Sequence, residues 1–437
     1  MSFSLKPVMH PLCFEDFVEN GHGVMRRLVA PAKDERNPVF EPETPWESTG
    51  VLYPSVWCEP DNGLWRMWYS TREGIVCYAE SDDGVSWHRP ELGRIEYHGT
   101  KANNIVLEAP HPTPCVYRDS TAEPDRRYLL TISDTGKHQD EGGIKLYASP
   151  DGIEWNLLKD PIVGVRNDSQ CPILKHPETG QWLVWHRPGF GLRTISCSES
   201  TDLLNWRGGG QRIAPDEVDR PRHVENYAIA VFPYDGGFIG IMKQYANVWY
   251  DKRCWLDLVV SRDGINWQRL TDRRPFVPLG EDGEWDSLCM SPGHGLVPDG
   301  DGHWFYYDCW NARHTGELRE SYARSCIGRV HIPRRRLVEC VAMGEEAWVT
   351  TVPCRLEGKQ LKLDFDAGNT EVRAEIQDED YSPVQGFTKE DSSTLTGASH
   401  EGVITFQGGS LARFARQPAR LIVHMQRGAR LFAVGIV

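Results

Sequence analysis

The sequence predicts an all-β protein: a five-bladed β-propeller over residues 1–345, followed by a small antiparallel β-sandwich over 346–437. Three observations carry that prediction. A seven-residue motif recurs four times, as Ser81-Asp82-Asp83-Gly84-Val85-Ser86-Trp87, Ser149-Pro150-Asp151-Gly152-Ile153-Glu154-Trp155, Ser200-Thr201-Asp202-Leu203-Leu204-Asn205-Trp206 and Ser261-Arg262-Asp263-Gly264-Ile265-Asn266-Trp267. Its tryptophans lie 68, 51 and 61 residues apart, too far for one hairpin and about right for a four-stranded sheet with its loops. Beyond Trp348 tryptophan vanishes and short alternating strands take over.

Each element follows from local chemistry. Asp-Gly between two β-rich runs makes a tight turn, because glycine accepts positive φ and the aspartate side chain caps the turn, while the following tryptophan covers the gap to a neighbouring sheet. Before each turn stands a strand-like run: Ile75 to Ala79, Ile144 to Ala148, Arg193 to Cys197 and Leu256 to Val260. Before each of those runs stands an aromatic or aliphatic one: Trp65 to Tyr69, Tyr128 to Thr131, Trp182 to Trp185, Phe238 to Ile241, and a fifth, Trp304 to Tyr307. The fifth blade ends in Ile327 to Val330 without an Asp-Gly-Trp of its own, as a ring-closing blade can. In the tail, Leu361 to Phe365, Glu371 to Ile376, Gly402 to Phe406 and Leu421 to Met425 alternate as the strands of a sandwich do.

Composition narrows the function classes. The chain has 437 residues, 40% apolar and 25% charged, an ordinary globular balance. Lys and Arg total 48 against 62 Asp and Glu, a formal charge of −14 with no long basic run, which argues against nucleic acid as a partner because phosphates demand a local excess of cations. No apolar run approaches the ~20 residues of a membrane span. The first residues lack the pattern of a secretory signal, so the sequence predicts a cytoplasmic protein. Twelve cysteines are scattered from Cys13 to Cys354 without a CxxC pair, as expected of buried thiols and not of a zinc site or disulfide framework. No cofactor and no metal is expected, since His186, His223, His294 and His314 match no ligand spacing.

Several stretches carry a resemblance: Arg66-Met67-Trp68-Tyr69, Cys77 to Trp87, Pro90-Glu91-Leu92-Gly93, Asn103 to Leu107, Asn167-Asp168-Ser169-Gln170, and Glu375 to Phe387. On these the chain resembles the five-bladed propeller glycoside hydrolases related to families 32 and 43, and more narrowly bacterial family 32-like proteins with a C-terminal β-sandwich. The resemblance covers most of the chain and implies a carbohydrate substrate. The Trp-Met-Asn-Asp-Pro-Asn-Gly and Arg-Asp-Pro signatures of the well-studied family 32 enzymes are absent, so no catalytic residue carries over by motif.

Blade geometry nominates the candidates instead. Innermost strands converge on a central channel, so acids at their starts can meet across a pocket. Those positions hold Glu47 in blade one, Asp168 in blade three, Glu225 in blade four and Asp286 in blade five. Glycoside cleavage needs one protonated and one ionised carboxyl. Asp168 and Glu225 are the expected core, with glutamate as the acid and Asp286 and Glu47 next in line. Substrate recognition falls to the pairs His186-Arg187, Arg222-His223 and Arg313-His314, which offer donors at strand ends, and to Trp46 and Trp310 as stacking platforms. The expected function is hydrolysis of a furanoside or short oligosaccharide. Its rivals are a phosphate-dependent phosphorylase using Arg187, Arg222 or Arg313, a lyase-type reaction, and a non-catalytic carbohydrate-binding propeller.

Overall fold

A computed structural model describes residues 3–110, 112–135, 142–189, 191–314 and 325–437. Among them there is no α-helix, only strands and short 3-10 turns, and no helix is long and apolar enough to cross a membrane. Most strands sit in antiparallel groups that follow the sequence pattern. The first group runs Leu52–Cys58, Trp65–Thr71, Ile75–Ser81 and Trp87–His88. The second is Cys115–Arg118, Tyr128–Asp134, Gly143–Ser149 and Asn156–Val163. The third is Ile173–Lys175, Trp182–His186, Ile195–Ser200 and Trp206–Ile213. The fourth is Val224–Tyr234, Gly237–Ala246, Cys254–Ser261 and Trp267–Arg269. A further group, Cys289–Asp299, Gly302–Trp310 and Cys326–Pro333, takes its fourth strand from far upstream, Ala32–Lys33.

The four motif turns share one hydrogen-bond pattern. In each, the aspartate Oδ1 accepts the N–H groups two and three residues on: for Asp83 from Val85 and Ser86 at 2.8 and 2.7 Å, for Asp263 from Ile265 and Asn266 at 2.8 and 2.7 Å. The serine hydroxyl accepts the aspartate N–H in all four turns. The fourth position is left-handed, φ 70° at Gly84 and 76° at Gly152. Leu203 adopts φ 68° where the others have glycine, a conformation that costs a side chain about 1–2 kcal/mol; burial of its side chain among Leu129, Trp182 and Trp206 compensates.

The motif tryptophans then join each group to the one before it. Trp155 packs edge-on to Trp68 with ring centres 6.5 Å apart, and Trp267 to Trp185 at 6.5 Å. Trp87 of the first group meets Tyr306 of the last at 6.1 Å, which brings the two ends of the series together. Backbone carbonyls of the turns accept from the same neighbours: Trp68 Nε1 donates to Gly152 O at 2.5 Å and Tyr306 Oη to Gly84 O at 2.6 Å. First strands of all these groups face a common cavity of about 310 Å³, lined among others by Trp57, Val116, Ile173, Phe232 and Leu296.

The second body differs from the expected division at residue 345. Its strands form one sheet in the order Val18–His22, Ala347–Thr351, Arg420–Met425, Leu361–Gln377, Arg430–Ile436, Val338–Ala342 and Val24–Leu28, with Met9–Pro11 and Leu395–Ile404 attached. The chain's first strands therefore complete the C-terminal sheet before the chain enters the ring of groups. Sequence hid this because the pairing is between segments some 300 residues apart, and short half-buried strands look alike wherever they pair. The two runs expected as separate strands, 361–365 and 371–376, are halves of one 17-residue strand. A contiguous apolar core reaches from this sheet, through Phe365 and Leu421, to Ile239 and Phe305 of the ring.

A Cβ at Gly152 would lie 2.4 Å from Trp68 Cζ2. Gly152→Ala is therefore expected to lose about 2–4 kcal/mol through left-handed strain and overpacking. Gly63→Ala, also left-handed but with open space around its Cβ, is expected to lose only the conformational part; chemical unfolding of both variants checks the difference.

Candidate active site

Asp168 and Glu225, on separate groups, flank one side chain. Asn167 builds the local frame of Asp168: its Oδ1 accepts the Ser169 N–H at 3.0 Å and hydroxyl at 2.8 Å, and its Nδ2 reaches Cys171 Sγ. The turn presents Asp168 at the start of the third group, with its side chain one-third exposed and its Oδ1 bonded to Arg187. Glu225 stands one residue into the fourth group's first strand, its oxygens accepting Arg193 Nη1 at 2.6 Å and Asn247 Nδ2 at 2.8 Å.

Between them lies Tyr227. The Arg187 and Arg193 guanidinium carbons each sit 4.9 Å from its ring centre, and Lys243 Nζ sits 4.8 Å from it. Cations over an aromatic face gain from the ring quadrupole, most when water is excluded, and Tyr227 and Lys243 are both buried. His314 completes the wall, its ring 5.0 Å from Tyr227 and 4.8 Å from Tyr245, and burial lowers its pKa to about 3, so the imidazole is neutral.

Lys243 reaches across to the last group. Its Nζ donates to Ser291 Oγ at 2.8 Å, and Ser291 pairs across the strands with Asp308. Asp308 is fully buried; its Oδ2 accepts the Tyr53 N–H at 2.9 Å while its Oδ1 has no hydrogen-bond partner. Burial pushes its pKa up to about 7, with Lys243 opposing. Tyr53 holds a left-handed backbone, φ 53°, strain typical of functional sites. Beside this cluster the amides of Asn226 and Gln244, cross-strand partners, are buried with neither amide atom of either side chain hydrogen-bonded. Such groups cost free energy unless a ligand or water meets them.

The remaining candidates are distributed as follows. Arg187, His314 and Trp310 belong to the cluster, Trp310 lying under Lys243 at 5.6 Å and Arg72 at 5.2 Å. Arg313, half-buried, precedes His314. His186 is buried behind the site, its ring bonded to Arg187 O and Ser198 Oγ. Arg222 and His223 are exposed on the turn before Glu225. Two expected acids are placed elsewhere. Glu47 is completely buried and accepts from Arg89 Nε, the Tyr69 hydroxyl and the N–H groups of Glu43 and Thr44, so it anchors its turn and no substrate reaches it. Asp286 is buried against Lys33 at 2.7 Å and Tyr307 at 2.9 Å, where it fastens the last group's borrowed strand. Trp46, half-buried, donates to Asn104 Oδ1 at 3.0 Å and packs against the first group's core.

Sequence reasoning missed Asp308, Lys243, Arg193, Tyr53 and Tyr227. A signal was present for two of them: Asp308 interrupts Tyr306-Tyr307-Asp308-Cys309-Trp310 and Lys243 interrupts Ile241-Met242-Lys243-Gln244-Tyr245, and a charge inside a buried strand requires a partner. All twelve cysteines are free thiols. Among the described residues no cluster of three or more His, Cys, Asp or Glu is arranged to hold a metal.

Comparison with known proteins fits this architecture. No protein-family model matches the chain. Two solved structures align with TM-scores of 0.50: a glycoside hydrolase, 12% identical over 70% of this chain and 92% of its own, and an N-acetylgalactosamine deacetylase from F. plautii in complex with blood group B trisaccharide, 14% identical over 71% and 96%. These likenesses bear on the fold alone, which is all-β. In sequence, the uncharacterised proteins MT1551 and Rv1502 of two Mycobacterium tuberculosis strains are 28% and 27% identical over 187 residues, covering 38% of this chain. The chain spans about half the length of those relatives, 54%.

Because the raised Asp308 pKa favours its protonated form in the folded state, its contribution to stability is fully present below about pH 4 and is lost as pH rises toward about 7. Asp308→Asn mimics the protonated form and removes that loss. The Tm of the variant relative to the parent is expected to rise between pH 4 and pH 8, as thermal scans across that range would record; a constant difference would rule out the buried proton.

Proposed function

We propose that this protein is a glycoside hydrolase acting on a furanoside or a short oligosaccharide, with its active site at the mouth of a closed five-bladed propeller. One observation carries the reading: Asp168, Glu225 and Asp308, from three separate strand groups, converge with three cations around Tyr227. Asp168 is the nucleophile or base, since its side chain is the most exposed of the three acids. Glu225, whose oxygens accept from Arg193 and Asn247, is the acid. Lys243, Tyr53 and Asp308 fix Tyr227 and the mouth without touching substrate.

Trp249, 87% exposed on the loop that begins with Asn247, offers a platform for a second sugar unit. A competing reading is favoured by a specific feature: both Asp168 and Glu225 are ion-paired with arginines, the arrangement expected of a site that binds carbohydrate without cleaving it.

Release of product from aryl glycosides and short oligosaccharides, with and without inorganic phosphate, separates these readings. Hydrolysis independent of phosphate is expected, and Asp168→Asn and Glu225→Gln should each lower kcat by about 10²–10⁴-fold. Turnover only with phosphate would make the protein a phosphorylase, and binding without turnover would make it a lectin-like propeller. Trp249→Ala is expected to raise KM several-fold for oligosaccharides while leaving aryl monoglycosides unaffected, a split that initial-rate kinetics resolves.

A further inference from the structure

The C-terminal sheet carries a second polar cleft, of about 400 Å³, within the range of small-ligand sites. Four side chains cross its floor in a straight row: His22 pairs with Trp348, Trp348 with His424, and His424 with Arg373, on four adjacent antiparallel strands. Residues directly opposite in such a ladder point to the same face. Their chain neighbours Ala347, Val349, Val423, Val372 and Ala374 are buried in the core, so the row faces away from it.

The row has an unusual chemistry for an exposed sheet face. The His22 and Trp348 rings are stacked, 22° from parallel with centres 5.9 Å apart. Arg373 Nε is shielded from solvent and 3.4 Å from Glu371 Oε1, yet makes no hydrogen bond, so it is a donor without an acceptor. His424 Nε2 lies 3.3 Å from Glu375 Oε2. Glu345, Glu346 and Lys389 form the rim.

We propose that this cleft is a second saccharide-binding site, taking an uncharged, hydroxyl-rich glycan separately from the channel mouth. Its ligand class coincides with that of the proposed function, but the argument stands on the cleft alone. Carboxylates outnumber the fixed cations Arg373 and Lys389, which disfavours an anionic ligand. The charged lining disfavours an apolar one. Rings for the C–H face of a sugar, with guanidinium, ammonium, imidazole and carboxylate groups for its hydroxyls, match a neutral pyranose or furanose chain.

Affinity electrophoresis of the full chain in gels containing debranched arabinan or inulin, with polygalacturonate as the anionic control, tests this. Retardation is expected in at least one neutral gel and not in polygalacturonate. Trp348→Ala and Arg373→Ala should each weaken it about tenfold or more, while Asp168→Asn should retain it. Lys389→Ala, a rim change that leaves the sheet intact, should weaken it less, and thermal unfolding confirms that each variant folds. Absence of retardation in both neutral gels, or retardation untouched by Trp348→Ala, overturns the proposal. So does a shift from dimer to monomer on Trp348→Ala by size-exclusion chromatography, which would assign the face to a second copy of the chain. Failure of hydrolysis alone would leave this site standing, since its readout is binding.

Discussion

The contact between each motif turn and the preceding strand group is the constraint on which the rest of this structure depends. A four-stranded sheet of this length cannot bury both faces alone: Trp155 covers the first group, which is also bonded to the Gly152 carbonyl, and Trp267 covers the third. The same device operates between the first and last groups, through Trp87, Tyr306 and the Gly84 carbonyl. Ala32–Lys33, hydrogen-bonded to Val330 and His331, adds a covalently remote strand to the last group. Its position is reinforced by the buried Lys33–Asp286 pair.

Closing such a series of sheets places the starts of their first strands side by side, and this is what creates the polar cluster. No single group carries a complete site. Asp168 and Arg187 come from the third, Glu225, Tyr227 and Lys243 from the fourth, Ser291 and Asp308 from the last, and Tyr53 from the first. Charges held in low dielectric must be balanced locally, and around one aromatic ring Arg187 pairs with Asp168 and Arg193 with Glu225. The arrangement also explains why the cluster tolerates a left-handed Tyr53: its N–H is needed by Asp308.

The second body is bound into the ring by sequence order as much as by packing. Its sheet takes strands from both chain ends, Val18–His22 and Val24–Leu28 from one and Arg420–Met425 and Arg430–Ile436 from the other. An apolar core continuous between the two bodies, from Phe365 to Phe305, leaves little of either face unpaired.

The sequence by itself determined the strands of the ring. The Ser-x-Asp-Gly turns, the aromatic second strands and their spacing are local signals, set by φ preferences, side-chain caps and alternation within a few residues, and they survive any tertiary context. It also determined that Asp168 and Glu225 stand at strand starts. Tertiary structure decided which acids matter to the mouth. Glu47 and Asp286 occupy equivalent places in the chain, yet Arg89 and Lys33, brought in from elsewhere, bury and neutralise them. Asp308 and Lys243 looked like interruptions of core strands until two separate groups met and made them partners. Charge pairing acts through space, so a residue's role as anchor or as reactive group depends on which partners arrive, and that information is spread over the whole polymer.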